Sequence, residues 1–587
     1  MTGTSVASPD RTARPEHQQG ADGSAHLSRR AAWVICLVAV LFAGSSLRQA
    51  WTDGPTFDEA NDLASSLAAL TRHDLRANPQ HPPLFRTVAA IPVLFLDPTI
   101  PDGAAWDRAS GHDLAVQFMH HEVASGHLQR DLFAARVVPV LEAVAIAWLL
   151  ALLAGRLFGG AAGVFSAVLW LVNPLVIGLG HVDGIDLSAT LTTVLTALAV
   201  LAARRDPTRR SIALVGLCGG LAILTRLTGV LVVLLAAAAV AAAGWRGDRR
   251  RALLDASLVV AVAWATVMVV YAALSPVDIG SAGHGVAAVV GTVGHVVVPP
   301  AWLRGTEHLW RVGSTPGPAF VLGEAHTGRW LWFWPASLVV KLPPTTLAVL
   351  VAGPLAWVRL PRAVRREAAW VVALPALALT LFTVQQQRPI GLRYLLPALA
   401  LWIVAAAPIV VVLGRRAART VVALAVAGGL AASLVTPSLA WTNPLLGPGY
   451  RVATDSNLDW GQSYPALRRW SPSHHPWVAY FGAPGLGVDT LPGARDLADA
   501  PADLTGWVAV SASLLTAYDR DELGWLRAYC PVAVIARTVL VYRFTTPPER
   551  ARPGPEAPRG PCAGSTSRLA SRSNSPDAAA HAGGTPS

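Results

Sequence analysis

Long apolar stretches separated by short polar segments fill the chain between residues 31 and 439. An α-helix needs about 20 apolar residues to cross a bilayer. Eleven stretches approach that length: Ala31–Leu47, Val137–Ala154, Gly160–Gly178, Leu187–Ala203, Ile212–Leu224, Val230–Gly244, Ala252–Leu274, Leu342–Trp357, Ala368–Val384, Tyr394–Leu413 and Val421–Leu439. The pattern predicts an all-α polytopic membrane protein with about 11 transmembrane helices and large external loops.

The composition agrees with this pattern. The 587 residues are 53% hydrophobic and only 14% charged, and their mean hydropathy is +0.44, whereas soluble domains carry about 25% charged residues. The formal charge of +11 does not indicate a nucleic-acid partner. Most of the arginines lie in short loops between apolar stretches, where basic residues report membrane topology. We therefore expect membrane lipid, and no nucleic acid, around the chain.

The basic residues between apolar stretches fall in alternate loops. They are Arg29 and Arg30, Arg156, Arg204–Arg210, Arg246–Arg251, Arg359–Arg366, and Arg415–Arg419. With eleven crossings, all six groups lie on one side of the membrane, and cytoplasmic loops are the ones rich in arginine. We therefore predict a multi-pass protein of the plasma membrane with a cytoplasmic N-terminus and an extracytoplasmic C-terminus. Residues 48–136, residues 276–330 and everything after residue 439 then lie outside.

Four regions follow from this topology. They are a disordered cytoplasmic tail (1–30), a transmembrane domain (31–440), a small extracytoplasmic α/β domain (441–545) and a disordered tail (546–587). Three segments of the third region have the composition of short strands, and a fourth predicts a helix: residues 477–481, 506–511 and 538–544, and residues 520–529. Cys530 and Cys562 could pair outside the cell, and the sequence leaves that disulfide open.

An acidic pair, Asp58 and Glu59, follows the first apolar stretch. The spacing from Thr56 to Glu59 matches a capping box, in which the glutamate reaches back to the backbone N–H of the threonine. Capping accounts for Glu59 without any catalytic role. Asp58 is left at a helix N-terminus, where the helix dipole tolerates a carboxylate. The local spacing thus leaves both a structural and a catalytic interpretation open, and Asp58 and Glu59 are both candidate catalytic residues.

A second acidic pair, Asp183 and Asp186, stands where the third apolar stretch gives way to the fourth. Either residue could cap the following helix; alternatively, Asp183 is a candidate for substrate binding and Asp186 for catalysis. Carboxylates that meet on one face raise each other's pKa or require a cation between them. A divalent cation therefore stays open as a cofactor, although no ligand spacing specifies a metal site.

Several basic side chains fall on the predicted outer face, where the topology rule gives no reason for them. They are Arg226, Lys341, Arg388 and Arg393, and His81 lies in the same outer region. Long cationic side chains near helix ends can simply extend to the membrane surface. A cluster of them at interface depth would also bind an anionic headgroup or a phosphate.

A polar stretch, Ala453–Trp470, follows the last apolar segment. Asp455, Asn457 and Asp459 crowd it, and they are candidates for substrate binding. The stretch lacks the glycine and the closing glutamate of an EF-hand loop. On its own, a polar turn that caps the next helix explains it equally well.

Taken in order, these motifs resemble a known family. The motifs are Asp58-Glu59, His81-Pro82-Pro83-Leu84, Arg136, "IDLSATL" with Asp186, "GGLAILTRLTGVLVV" with Arg226, Lys341-Leu342-Pro343, "IGLRYLLP" with Arg393, and "DSNLDWGQ". Between about Trp33 and Trp470 the chain resembles the bacterial protein-mannosyltransferase-like glycosyltransferases of family 39, with the GT-C fold, which include the aminoarabinose transferases of lipid A.

The resemblance implies an activity. Such enzymes transfer a sugar from a polyprenyl phosphate at the outer leaflet to a hydroxyl of a protein, lipid or glycan, with inversion at the anomeric carbon. It implies that Asp58 is the base and that Asp186 corresponds to a second loop carboxylate of the family. The chain departs from the aminoarabinose transferases in two places, since it lacks an arginine after the acidic pair and has His81 in place of a lysine. The sugar is therefore not carried over, and Arg393, Arg226 or Lys341 must supply the phosphate contacts.

The chemistry of the residues agrees with this activity. A hydroxyl is a weak nucleophile and needs a positioned base, whereas a phosphate leaving group needs cations and no general acid. A transporter or flippase of lipid-linked sugars or other solutes is the alternative. Transporters place ionisable groups near the bilayer midplane and often contain repeated halves, which this sequence lacks. A non-catalytic glycan-binding protein is a third class, and it would not need Asp58.

Overall fold

The structure is a computed structural model that describes residues 28–103, 106, 111–274, 298–434, 437–519 and 521–550. Both tails that the sequence predicts to be disordered fall almost wholly outside the described residues. Cys562 also lies outside them, so its pairing with Cys530 stays open. Within the described residues the chain is mostly helical.

The first half of the chain contains eleven described helices. They are α1 (Arg29–Thr52), α2 (Phe57–Arg72), α3 (Leu84–Leu94), α4 (Gly111–Ser125), α5 (Leu128–Phe158), α6 (Gly160–Leu171), α7 (Pro174–Leu179), α8 (Ile185–Arg205), α9 (Arg209–Ile223), α10 (Gly229–Gly244) and α11 (Arg249–Leu274). The bundle is built on α5 and α8, because α5 packs against α1, α6 and α8, and α8 packs against α9, α10 and the later α17 (Leu396–Ala406).

The second half adds α12 (Pro300–Ser314), α13 (Phe333–Lys341), α14 (Pro344–Ala352), α15 (Arg362–Ala368), α16 (Leu374–Thr383), α17, α18 (Ile409–Val412), α19 (Arg415–Ser433) and α20 (Tyr464–Trp470). A π-helical segment joins α15 to α16, and a 3₁₀ turn, Leu392–Leu395, leads into α17. A hairpin of β1 (Pro318–Val321) and β2 (Glu324–Thr327) follows α12.

Six of the described helical segments are long and apolar enough to cross a membrane. They are Arg29–Thr52, Leu128–Phe158, Ile185–Arg205, Arg249–Leu274, Arg362–Thr383 and Leu392–Val412. The predicted class, a helical polytopic membrane protein, is confirmed. The count of eleven spans and the orientation of the termini are not confirmed and stay predictions.

Proline explains two of the differences from the predicted spans. The stretch Gly160–Gly178 is divided after α6, because Pro174 begins α7 and the side chain of Asn173 caps it by accepting a hydrogen bond from Leu175 N. Proline is favoured in the first turn of a helix and not in its interior. The stretch Leu342–Trp357 likewise changes from α14 to a 3₁₀ segment that contains Pro354.

The C-terminal region forms a small five-stranded sheet. Its strands are β3 (Trp477–Ala479), β4 (Arg495–Asp496), β5 (Gly506–Ser511), β6 (Ala533–Ile535) and β7 (Val539–Phe544), in the order β4-β3-β5-β7-β6. β3 is parallel to β4 and β5, and β7 is antiparallel to β5 and β6. The three predicted strands are present. The predicted helix at residues 520–529 is wrong, since only a 3₁₀ segment, Gly524–Ala528, forms there.

The sheet packs onto the helices that follow α1. Leu63 and Leu67 of α2 share an apolar cluster with Phe118 of α4, Tyr464 of α20 and Val478 of β3. This second core fixes α2 against the C-terminal region. It thereby holds the N-terminus of α2, with Asp58, close to the polar stretch that precedes α20.

Candidate functional site

Four charged side chains from distant parts of the sequence meet on the predicted outer face. Arg393 Nη1 lies 2.7 Å from Asp58 Oδ2 and 3.7 Å from Asp186 Oδ2. Arg226 Nη1 lies 2.7 Å from Asp186 Oδ1. The order Asp58, Arg393, Asp186, Arg226 alternates in sign, and we refer to these four residues as the charge chain.

Each member of the charge chain is placed by the end of a helix. Asp58 and Asp186 lie in the first turns of α2 and α8. Arg226 stands in the turn between α9 and α10, and Arg393 in the 3₁₀ turn before α17. Helix N-termini carry partial positive charge, so the two carboxylates sit where the backbone favours them.

Arg393 is held by its neighbours yet keeps one donor free. Its guanidinium carbon lies 4.1 Å from the ring centroid of Trp460, and the 3₁₀ turn is fixed by Asn457, whose Oδ1 accepts a hydrogen bond of 2.9 Å from Leu392 N. The buried Arg393 Nε has no hydrogen-bond partner among the described residues. Arg226 stacks 4.4 Å from the ring of Tyr394. The guanidinium groups are therefore oriented, and Arg393 has unused capacity for an anion.

A cavity of about 490 Å³ opens beside the charge chain. Its lining residues are Phe57, Asp58, Asn61, Asp62, Arg76, Ala77, Pro79, Gln80, His81, Gly111, His112, His308 and Pro484. The Asp58 side chain is 34% exposed, whereas Arg393 is 8% exposed. Asp58 is thus the member of the charge chain that faces the cavity, which has a volume typical of small-ligand sites.

The side chain of Glu59, the neighbour of Asp58, is not exposed to the cavity. It is fully buried with Arg136, whose Nη2 lies 2.7 Å from Glu59 Oε2. Its carboxylate also accepts hydrogen bonds of 2.7 Å from the backbone N–H groups of Thr56 and Asp183. The predicted contact to Thr56 is present. A carboxylate with this set of partners anchors α2 to α5 and to the loop before α8, and no side of it meets the cavity.

Burial shifts the pKa of two cavity residues in opposite directions. The pKa of His81 is lowered to about 3 by burial and by the positive charges of Arg86 and Arg226. Without a ligand, His81 is therefore neutral at pH 7, and the neutral imidazole can still donate one N–H hydrogen bond. The pKa of Asp62 is raised to about 7 by burial and then by the charge of Asp58.

Two of the predicted phosphate ligands lie away from this arrangement. Lys341 is buried, and its Nζ donates hydrogen bonds of 2.8 Å and 2.6 Å to the backbone oxygens of Leu439 and Trp441. Arg388 is exposed, and its Nε donates to Thr315 O at 3.1 Å. Lys341 thus connects the end of α13 to the chain after α19, and the charge chain contains neither residue.

The four candidate substrate-binding residues, Asp183, Asp455, Asn457 and Asp459, are buried. Burial raises the pKa of Asp183 well above its usual range, and the pKa of Asp459 to about 7. Burial also raises the pKa of Asp455, which accepts a hydrogen bond from Tyr518 Oη. Asn457 supports the turn that bears Arg393. These contacts fit a supporting role, and direct substrate binding by the four residues stays a prediction.

Whether the protein binds a divalent cation stays open. Within the described residues, no group of three or more His, Cys, Asp or Glu side chains is arranged to hold a metal ion.

Sequence reasoning missed several residues of the cavity. They are Phe57, Asn61, Asp62, Arg76, Gln80, His112 and His308. Asp62 could have been found, because it lies four residues after Asp58 and therefore on the same side of α2. His308 could not, since only the packing of α12 near Pro79 brings it to the site.

The comparison with protein families gives one match. Residues 127–276 match the family described as dolichyl-phosphate-mannose-protein mannosyltransferase. The matched segment runs from α5 to α11 and contains Asp186 and Arg226. It confirms the predicted resemblance to this family of glycosyltransferases. No curated protein matches the chain significantly.

Solved structures of membrane glycosyltransferases are similar to the chain at low identity. One is the archaeal oligosaccharyltransferase AglB from Archaeoglobus fulgidus, in complex with an inhibitory peptide and a dolichol-phosphate, with 14% identity and a TM-score of 0.44. The aligned region covers 83% of this chain and 70% of the AglB chain. Another is ArnT from Cupriavidus metallidurans, bound to undecaprenyl phosphate, with 13% identity and a TM-score of 0.44. The aligned region covers 87% of this chain and 97% of the ArnT chain. With TM-scores below 0.5, these similarities assign no residue a role.

Proposed function

We propose that this protein is a glycosyltransferase that moves a sugar from a polyprenyl-phosphate donor to a hydroxyl acceptor at the outer face of the cytoplasmic membrane. The transfer inverts the anomeric carbon, and Asp58 is the general base. The observation that carries the proposal is the charge chain, which joins a partly exposed carboxylate at a cavity to two oriented guanidinium groups.

Asp58 has the position that a base requires. Deprotonation of the acceptor hydroxyl must occur as the hydroxyl attacks the anomeric carbon, so the carboxylate must reach the substrate within about 3 Å. Asp58 lines the cavity and keeps a third of its side chain exposed. Glu59 and Asp186, the other predicted catalytic carboxylates, are held by Arg136 and Arg226.

The cations of the charge chain suit the leaving group. The departing polyprenyl phosphate gains negative charge as the glycosidic bond breaks, and preoriented cations stabilise that charge. The free Nε of Arg393 and the guanidinium of Arg226 supply hydrogen bonds to phosphate oxygens. Lys341, whose ammonium already donates to two carbonyls, is the weaker candidate.

Donor binding also prepares the base. In the structure, Arg393 Nη1 donates a hydrogen bond to Asp58 Oδ2. A donor phosphate competes with Asp58 for the same guanidinium. Its arrival releases the carboxylate towards the cavity, so the base becomes available when the donor is present.

The test is transfer of a radiolabelled sugar from synthetic polyprenyl-phosphate donors by the purified full-length protein in lipid nanodiscs. We expect transfer by the wild type and a loss of about 10²- to 10⁴-fold in Asp58→Asn, which is the usual contribution of a general base. Transfer that is unchanged in Asp58→Asn would contradict the mechanism. Solute uptake into vesicles without transfer would favour a transporter instead.

A further inference from the structure

The cavity beside Asp58 contains an exposed aromatic ring. Phe57 precedes the proposed base in the chain, lines the cavity and is 42% exposed. It belongs to α2, outside the six segments that could cross the membrane. A phenylalanine that the protein leaves partly exposed has apolar surface still to bury, so its place beside the reacting carboxylate suits a ligand.

The orientation of this ring is fixed by a stack of three aromatic side chains. Phe57 stacks on Phe481 with ring centroids 5.5 Å apart and an interplanar angle of 6°, and Phe481 stacks on Tyr518 at 4.9 Å and 14°. Tyr518 Oη donates a hydrogen bond to the buried Asp455. One face of Phe57 is therefore covered by Phe481, and its exposed part is presented to the cavity in a preset orientation.

The remaining lining is mixed, with Ala77, Pro79 and Pro484 beside several planar hydrogen-bonding groups. Asn61, Gln80, His112 and Arg76 surround the same space. Asn61 Oδ1 is buried and has no hydrogen-bond partner among the described residues. A saccharide ring has an apolar C–H face and hydroxyls along its edge. The aromatic ring can pack against the C–H face, and the planar polar groups can hydrogen-bond the hydroxyls.

We propose that the acceptor hydroxyl belongs to a saccharide, which binds in the Asp58 cavity with one sugar ring against Phe57. The inference rests on the proposed function and specifies its acceptor. Because Phe57 and Asp58 line the same cavity, a sugar ring that packs on Phe57 can bring a hydroxyl to the carboxylate. A peptide acceptor is the competing possibility, and the tripeptide probe below tests it.

The experiment measures saccharide binding without requiring transfer. Saturation-transfer NMR is recorded on the full-length protein in nanodiscs, which avoids sugar-based detergents, with maltose, cellobiose and mannobiose as probes and an acetylated Ala-Thr-Ala tripeptide as the protein-acceptor probe. We expect saturation transfer to the C–H protons of at least one disaccharide. Phe57→Ala should weaken its binding about three- to tenfold, as expected for loss of one aromatic contact, while Phe57→Trp retains it.

Matched variants exclude indirect effects. Trp332→Ala removes an aromatic ring that is 57% exposed elsewhere on the chain, and it should bind the disaccharide like the wild type. Asn61→Ala, which leaves the ring stack intact, should weaken binding as well. Binding of the tripeptide alone, or equal disaccharide binding by Phe57→Ala and the wild type, would overturn the inference. Donor affinity, measured in the same nanodiscs with undecaprenyl phosphate, separates the two proposals, because a protein that binds the donor but no saccharide contradicts only this one.

Discussion

Asp58 and Glu59 are neighbours with the same charge, yet they occupy opposite environments. Glu59 is fully buried and is bonded to Arg136 and to two backbone N–H groups. Asp58 is partly exposed at a cavity, and its partner Arg393 keeps an unused donor. The difference shows how adjacent carboxylates divide between stability and chemistry. The anchored one fixes the helix, and the exposed one is free to exchange its partner.

Substitution of the anchor should have the largest effect, and on stability. Glu59→Ala leaves Arg136 as an uncompensated buried charge, and removal of one partner of a buried ion pair costs about 3–5 kcal/mol. We expect Glu59→Ala to lower the thermal unfolding temperature strongly and to reduce the yield of folded protein. Asp58→Ala should be destabilised less, because Asp58 is partly exposed and Arg393 keeps Asp186 as a partner. Equal destabilisation by the two variants, measured by differential scanning fluorimetry, would contradict the comparison.

Arg393 should control donor use. Arg393→Gln removes a charge-assisted contact worth about 1.5–3 kcal/mol, so the KM for the polyprenyl-phosphate donor should rise about 10- to 100-fold. Arg388→Gln is the matched control, because Arg388 has the same charge but lies exposed beside Thr315. A donor KM that rises equally in both variants would indicate a general effect of surface charge.

Lys341 should behave as part of the scaffold. Lys341→Met leaves the carbonyl oxygens of Leu439 and Trp441 without their buried donor, at a cost of about 1–3 kcal/mol. We expect a lower unfolding temperature and an unchanged KM for the donor. An increase in donor KM with unchanged stability would instead place Lys341 in the phosphate site.

Asp62 should affect the pH dependence of stability. Its pKa is raised from 3.8 to about 7, so the folded protein binds a proton there that the unfolded chain has lost. Its contribution to stability is present below about pH 4 and is lost as the pH rises through about 7. Asp62→Asn, which stays neutral, should reduce the fall in unfolding temperature between about pH 5 and about pH 8. An identical fall in the variant and the wild type would contradict the raised pKa.

The sequence predicted the members of the charge chain but not their arrangement. Asp58, Asp186, Arg226 and Arg393 were each recognised as charged groups at helix ends on one face. Local patterns also predicted the contact of Glu59 with Thr56, since a capping box is a property of four consecutive residues. The patterns could not separate these residues from Lys341, because only tertiary packing shows which cations are already bonded.

Sequence patterns did not predict how the apolar stretches are divided into helices or which residues form the cavity. Apolar length alone cannot reveal that Pro174 divides one stretch or that a 3₁₀ segment replaces part of another. The cavity combines residues of α2 with His308 of α12 and with Pro484 of the C-terminal region. Such contacts depend on long-range packing, and no local period in the sequence records them.

The most direct test of the central claim measures two properties of Asp58→Asn together, its affinity for undecaprenyl phosphate and its sugar transfer. Asparagine keeps the shape of the side chain but removes the charge that pairs with Arg393. The account predicts that the variant binds undecaprenyl phosphate as tightly as the wild type or more tightly, while transfer is lost. Weaker binding of undecaprenyl phosphate with undiminished transfer would contradict it.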